Sequence, residues 1–215
     1  MALNAAKAAG GTGSKVEPIP ADNYMARVAQ VIDLGVQNQR PYQGKEKPPA
    51  QEVMITYELV TEFMKDDDGN PDPERPRWIS ERFPLFNLRA DRAKSTKRYF
   101  ALDPEQNFGG DFTSLVGLPC LVAVVNNERD GRIYNNVGSI SPPLKGIPVP
   151  DAVNPPTLFD FDDPDPEAWE RMPEWIQGII KDSLSYRGSK VQAMVEGAAE
   201  KVEEPEEDVP DNFPV

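Results

Sequence analysis

Histidine is absent from the 215 residues, and cysteine occurs once, at Cys120. A disulfide framework needs at least two cysteines, and a Ser-His-Asp triad, a Cys-His nucleophile pair or a histidine-ligated metal site needs an imidazole. These absences remove the side chains on which most common enzyme mechanisms depend. We therefore expect a protein that is not an enzyme and that carries no cofactor or metal.

Long hydrophobic runs are also missing from the sequence. The longest apolar stretch, Leu118 to Val125, is far shorter than the roughly 20 residues that a helix needs to cross a bilayer. The first seven residues do not form a secretory apolar core either. We expect a soluble, cytosolic protein that has no membrane partner.

Basic residues are outnumbered, since 23 Lys and Arg face 36 Asp and Glu and give a net charge of −13. The acidity is concentrated at one end of the chain. Residues 1–150 carry 18 basic and 19 acidic side chains, whereas residues 151–215 carry 5 and 17. Because an acidic end can hide a basic surface elsewhere in the same molecule, the overall sign does not exclude a polyanionic ligand.

Four segments differ in composition and predict the domain organisation. Residues 1–20 and the acidic residues 191–215 contain too few apolar groups to pack, so we expect both to be disordered. Residues 21–145 carry the alternation of a folded domain. Residues 146–190 begin with recurring prolines, which predict a linker, and continue with two short helices that dock on the core or on a partner.

The pattern within residues 21–145 predicts three strands, a short helix over 90–102 and two further strands. The alternation of the first strand slips near Val31 or Ile32, which predicts a β-bulge. The five strands are expected at residues 24–35, 51–60, 77–83, 118–125 and 132–140. This is the element order of the OB-fold, a partly open barrel that binds oligonucleotides. We therefore predict a mainly β protein: a five-stranded OB-fold barrel with one helix between strands three and four, a small C-terminal helical appendage and disordered termini.

Several segments within residues 20–145 resemble the single-stranded DNA-binding proteins of tailed bacteriophages. The segments are Asn23-Tyr24 to Leu34-Gly35, Tyr57-Glu58-Leu59, Ser95-Thr96-Lys97-Arg98-Tyr99, Phe112 to Gly117 and Val137 to Pro142. Residues 196–215 are similar to the acidic tail with a terminal aromatic that such proteins carry. Here Phe213 is followed by Pro214 and Val215, whereas such tails usually end on the aromatic residue itself.

The resemblance implies that the protein binds and protects single-stranded DNA during phage DNA replication and recombination, in the cytoplasm of the infected bacterial host. It also implies partners: phage or host replication and recombination proteins that contact the tail at Asp208, Asp211 and Phe213. A homo-oligomer remains possible. Since tail and DNA are both polyanions, we expect the tail to compete for the DNA groove, so that truncation after residue 195 tightens DNA binding at low salt.

Binding a single strand without sequence preference needs cations for the phosphates and exposed aromatic rings on which bases stack. Four segments of the sequence interleave the two kinds of residue or concentrate cations. The candidate nucleic-acid-binding residues are Arg40, Tyr42, Lys45 and Lys47 after the first strand, Arg77, Trp78 and Arg82 on the third, Lys94, Lys97 and Arg98 on the helix, and Arg132 and Tyr134 at the last hairpin. Each segment also has a plain interpretation as a solvated loop or a solubilising helix face.

The orientation of Trp78 depends on which face of the third strand is buried. If Ile79 and Phe83 point inward, alternation turns Trp78 outward as a stacking platform; in the opposite register Trp78 is a core residue. An alternative function also remains open. In that alternative the protein is a phage structural or adaptor protein, whose barrel is a scaffold and whose segment Trp169 to Ile180 docks on a partner.

Overall fold

The computed structural model describes residues 17–202, which form a mainly β protein. A single 3-10 turn, Thr113–Leu115, precedes the fourth strand. The strands are β1 (Asn23–Tyr42), β2 (Lys45–Lys65), β3 (Pro71–Pro84), β4 (Pro119–Arg129), β5 (Arg132–Ser141) and β6 (Thr157–Phe159). The helices are α1 (Lys94–Leu102), α2 (Pro166–Arg171), α3 (Glu174–Lys181) and α4 (Lys190–Val202).

Strands β1 to β5 form a nearly closed antiparallel barrel with the strand order β3-β2-β1-β4-β5. Strand β1 pairs with β2 along its length and with β4 over Asn23–Arg27. Its register with β2 shifts between Val28 and Gln30, which confirms the bulge expected from the slip in alternation. A second shift spans Gly35, whose φ of 72° favours glycine.

Strands β3 and β5 are the two edges that approach each other where the barrel closes, and α1 lies against this seam. Arg98 of α1 reaches across it. Its guanidinium donates to both carboxylate oxygens of Glu81 on β3, at 2.7 and 3.1 Å, and to the carbonyl oxygens of Val137 and Gly138 on β5. The hydroxyl of Tyr57 donates to the same carboxylate. This buried network joins the two edge strands through the helix.

A second apolar core covers the outside of the barrel. It packs Ile32, Leu34 and Met54, which point away from the barrel interior, against residues that follow the proline-rich segment. We call residues 151–202 the C-terminal layer. Its strand β6 pairs in parallel with β1 at Gln30–Ile32. Its buried residues in this core include Phe159, Phe161, Trp169, Met172, Ile176, Ile180 and Val191. Most of the apolar side chains considered for docking on a partner thus pack against the chain's own barrel.

The ends of the described region differ from the expected disorder. Residues 17–20 are held in place, since Ile19 is buried and exchanges hydrogen bonds with Asn135. Helix α4 covers Lys190–Val202, where we expected an unpacked tail from residue 191, and Val191 is fully buried. Tertiary contacts explain both differences, because each segment gains an apolar anchor on the barrel or its layer. The rest of the expected termini, residues 1–16 and 203–215, lies outside the described residues.

Within residues 17–202, no helix is both long enough and apolar enough to span a membrane.

Candidate nucleic-acid interface

The outer face of strands β2 and β3 carries the aromatic residue that alternation left ambiguous. Ile79 and Phe83 are buried in the barrel, so Trp78 points outward, and 40% of it is exposed. Of the two registers that the sequence allows, the one with Trp78 outward is therefore the one observed. Trp78, Ser80 and Arg82 follow one another on this face and stand opposite Glu58, Thr56 and Met54 of β2. We call these six residues the outer face.

Glu58 holds Trp78 and the C-terminal layer together. This carboxylate is fully buried and accepts a hydrogen bond from the Trp78 indole Nε1 at 3.1 Å. It also accepts from the backbone N–H of Val153 at 2.6 Å and from the side-chain amide of Asn154 at 2.7 Å. The donors satisfy a charge that would otherwise be costly to bury. Glu58 is therefore a positioning residue for the exposed ring.

Arg82 connects the outer face with the hairpin between β1 and β2. It forms an ion pair with Glu52 of β2, and the side-chain amide of Gln39 on β1 donates to the same carboxylate at 2.7 Å. Gln39 pairs with Lys47 at the base of the projecting part of the hairpin. The surface is thus continuous from Trp78 to the hairpin, although Glu52 partly neutralises Arg82.

The β1–β2 hairpin, residues 38–49, presents the first group of candidate residues to solvent. Arg40, Lys45 and Lys47 are exposed and form no ion pair with any residue in the described range. Tyr42 is 60% exposed, and the Lys47 ammonium lies 5.0 Å from the centre of its ring. An exposed aromatic ring among three unpaired cations is an arrangement that suits a nucleic-acid strand.

The candidates on α1 have different roles. Arg98 is buried and its guanidinium is occupied by Glu81 and by the carbonyl oxygens of β5, so it is wrong as a DNA contact and serves the barrel seam. Lys94 is exposed, but its ammonium pairs with Glu81 at 2.7 Å and lies over the Phe83 ring. Lys97 is exposed and forms no ion pair among the described residues. The basic helix is thus mainly structural.

The remaining candidates lie away from the outer face. Arg77 donates to the backbone carbonyl of Glu17 and is half-buried. Arg132 and Tyr134 are exposed on the β4–β5 hairpin, which extends past the start of β1, whereas the β1–β2 hairpin extends past its end. The structure therefore separates the two hairpins along β1. The tail candidates Asp208, Asp211 and Phe213 lie outside the described residues.

A groove of about 440 Å³ runs between the outer face and the C-terminal layer. From the sheet it is lined by Gln30, Ile32, Met54, Thr56, Trp78 and Ser80, and from the layer by Asn154, Pro155, Thr157, Ala168, Arg171, Met172, Pro173, Trp175 and Ile176. Trp175 and Arg171 are not among the candidate nucleic-acid-binding residues, although both lie in the segment considered for docking on a partner. The spacing of α3 contains a signal for Trp175, since Ile176 and Ile180 define the buried face and leave Trp175 off it.

Other potentially reactive groups have ordinary structural roles. Burial raises the pKa of the Cys120 thiol to about 12, with a further contribution from the Glu81 charge, so the thiol stays protonated at neutral pH. Within residues 17–202, no three His, Cys, Asp or Glu side chains cluster as a metal site.

Comparison of the chain with protein-family models, with curated proteins and with solved structures finds no match in any of the three.

Proposed function

We propose that the protein binds single-stranded DNA without strong sequence preference. The observation that carries the proposal is the outward position of Trp78 on a surface that continues through Arg82 to the β1–β2 hairpin. Stacking on an exposed ring contributes about 1–3 kcal/mol per base, and it discriminates little between bases because every base has a π face. Cations along the strand neutralise phosphates and release counterions.

We further propose that the barrel is an OB-fold. The support is the strand order β3-β2-β1-β4-β5, together with a helix that follows β3 in the chain and packs at the gap between β3 and β5. Nucleic acids commonly contact OB-folds across strands two and three and the neighbouring hairpins. Trp78 and the β1–β2 hairpin occupy corresponding places.

In the cellular setting that we propose, the protein protects single strands during phage DNA replication and recombination in the infected bacterial cytoplasm. The support is the sequence resemblance together with the acidic composition of residues 203–215, which contain six Asp and Glu and no Lys or Arg. These residues compete with DNA for the cationic surface. Once displaced, they contact replication or recombination proteins through Asp208, Asp211 and Phe213.

Titration with a single-stranded oligothymidylate and with a duplex of equal length, at several ionic strengths, tests the proposal. Binding should quench the fluorescence of the exposed tryptophans, weaken as salt rises and be much weaker for the duplex, whose bases are already stacked. Equal affinity for both DNA forms, or no binding at low salt, would overturn it.

One observation favours the second candidate, a structural or adaptor protein. Trp175 and Leu184 of the C-terminal layer are 60% and 55% exposed, and exposed apolar side chains of this size often contact a partner protein. Trp169, Ile176 and Ile180 no longer contribute to this candidate because they are buried within the chain. If the oligonucleotide titration fails, a protein partner on this layer becomes the favoured function.

A further inference from the structure

We propose that the groove between the outer face and the C-terminal layer is a slot for one unpaired nucleobase, with Arg171 at the adjoining phosphate. This inference rests on the proposed binding of single-stranded DNA. It adds a subsite that the barrel alone does not form, because one wall belongs to residues far along the chain.

Two tryptophans supply the walls of the slot. Trp78 comes from β3 and is 40% exposed, and Trp175 comes from α3 and is 60% exposed. Both line the same groove, one from the sheet and the other from the helical layer. A large aromatic ring left in water forgoes the free energy of burial, which a stacked base would restore. The slot therefore has a partly exposed tryptophan on each side.

The sheet contributes three polar side chains to the floor of the slot, whose lining is otherwise mostly apolar. Gln30, Thr56 and Ser80 stand opposite one another on β1, β2 and β3. The hydroxyl oxygens of Thr56 and Ser80 are 2.9 Å apart, and the side-chain amide of Gln30 has no hydrogen-bond partner within residues 17–202. Hydroxyl and amide groups both donate and accept. Such a floor contacts a base edge without selecting one base, as the proposed function requires.

Charge and size favour a nucleotide over a longer acidic peptide. Arg171 is the one charged side chain among the described residues that line the groove, and it forms no ion pair within residues 17–202. A volume of about 440 Å³ lies near the lower end of small-molecule sites. The arrangement fits a single base with one phosphate, whereas a base pair within duplex DNA cannot enter.

The test compares Trp175→Ala with Leu184→Ala, a control on the same layer whose side chain is exposed and does not line the groove. The probes are a 20-residue oligothymidylate and an abasic oligomer of equal length, which keeps the phosphates and removes the bases. Trp175→Ala should bind oligothymidylate about 5- to 150-fold more weakly, as expected for the loss of one stacked base. It should bind the abasic oligomer like the unmodified protein, and Trp175→Phe should restore most of the affinity. Leu184→Ala should match the unmodified protein with both probes.

A second variant tests the slot independently of the aromatic wall. Arg171→Gln should reduce the slope of log affinity against log salt by about 0.7, the value for one phosphate contact on a single strand. An unchanged oligothymidylate affinity in Trp175→Ala, together with an unchanged salt slope in Arg171→Gln, would overturn the slot while leaving the proposed function intact. If the unmodified protein binds no oligothymidylate, both proposals fail. A peptide of residues 203–215 that binds the groove and loses affinity in Trp175→Ala would then identify a peptide site.

Discussion

The indole Nε1 of Trp78 donates a hydrogen bond to the buried carboxylate of Glu58 over 3.1 Å. The same carboxylate accepts from the backbone N–H of Val153 and from the side chain of Asn154. One buried charge thus fixes the edge of an exposed ring and the path by which the chain returns over the barrel. The orientation of Trp78 and the position of the C-terminal layer are therefore coupled.

Glu58→Gln should destabilise the protein because it replaces one accepting oxygen with an amide that faces donors. A buried donor without an acceptor costs about 1–3 kcal/mol, and we expect this loss in the free energy of unfolding measured with urea. Glu105→Gln, an exposed position, is the matched control. Equal stability of the two variants would show that Glu58 does not anchor the layer.

Trp78→Ala should weaken binding of oligothymidylate by about 5- to 150-fold, because it removes a stacking face worth roughly 1–3 kcal/mol. Trp78→Phe keeps a ring but loses the hydrogen bond to Glu58, so its affinity should lie between those of Trp78→Ala and the unmodified protein. Fluorescence anisotropy of a labelled oligonucleotide measures both. Circular dichroism establishes that the variants are folded, and full affinity in a folded Trp78→Ala would contradict the interface.

Arg98 and Lys97 are neighbours in sequence, but we expect only Arg98 to contribute to the stability of the fold. Arg98→Ala leaves Glu81 buried without its main partner, and breaking such a pair costs about 3–5 kcal/mol. We expect a large fall in the free energy of unfolding, with unchanged DNA affinity in the fraction that folds. Lys97→Ala should leave stability unchanged. If Lys97→Ala unfolds the protein and Arg98→Ala does not, the assignment of the seam is wrong.

The sequence contains a signal for the seam, and it lies on β3 rather than on the helix. Ile79, Glu81 and Phe83 alternate on the inward face, so an acid occupies a position that alternation assigns to the core. An inward carboxylate requires a cation, and Arg98 provides it. Helical spacing alone groups Arg98 with Lys94 and Lys97 on one face, which suggests DNA binding for all three.

The strands were predictable because they depend on local alternation, and the sequence also predicts the two short helices after the linker, whereas strand β6 and helix α4 of the C-terminal layer are not predicted. Composition groups the residues of helix α4 with the acidic tail that follows them, and so it does not predict the helix. Its first turn is buried through Val191, a contact with elements that are distant in sequence. The burial of Glu58 is not predictable from the sequence either. Alternation places Glu58 on the solvent-facing side of its strand, and only the C-terminal layer buries it. The separation of the two hairpins follows from strand register, which no local pattern specifies.

The β1–β2 hairpin should account for most of the salt dependence of DNA binding. A variant with Arg40, Lys45 and Lys47 all replaced by alanine should lower the slope of log affinity against log salt by about 2, since each phosphate contact on a single strand contributes about 0.7. Titrations at several salt concentrations measure the slope. Lys145→Ala removes an exposed lysine from a turn outside the interface and serves as the control. An unchanged slope in the triple variant would exclude the hairpin from the phosphate path.

Removing residues 203–215 should tighten DNA binding at low salt. The structure moves the appropriate cut from residue 195 to Val202, because α4 extends that far and Val195 packs against the layer. The truncation removes six acidic side chains and changes the net charge from −13 to −7. We expect an affinity gain on the order of fivefold at low salt that disappears as screening increases.

Phe213→Ala keeps every charge and separates the contribution of the aromatic residue from that of the acidic charge. If its DNA affinity matches that of the truncation, the aromatic residue anchors the competing tail. If its affinity matches that of the full chain, charge alone anchors it. Unchanged affinity after truncation would rule out competition while leaving the cationic surface and Trp78 as the site for DNA.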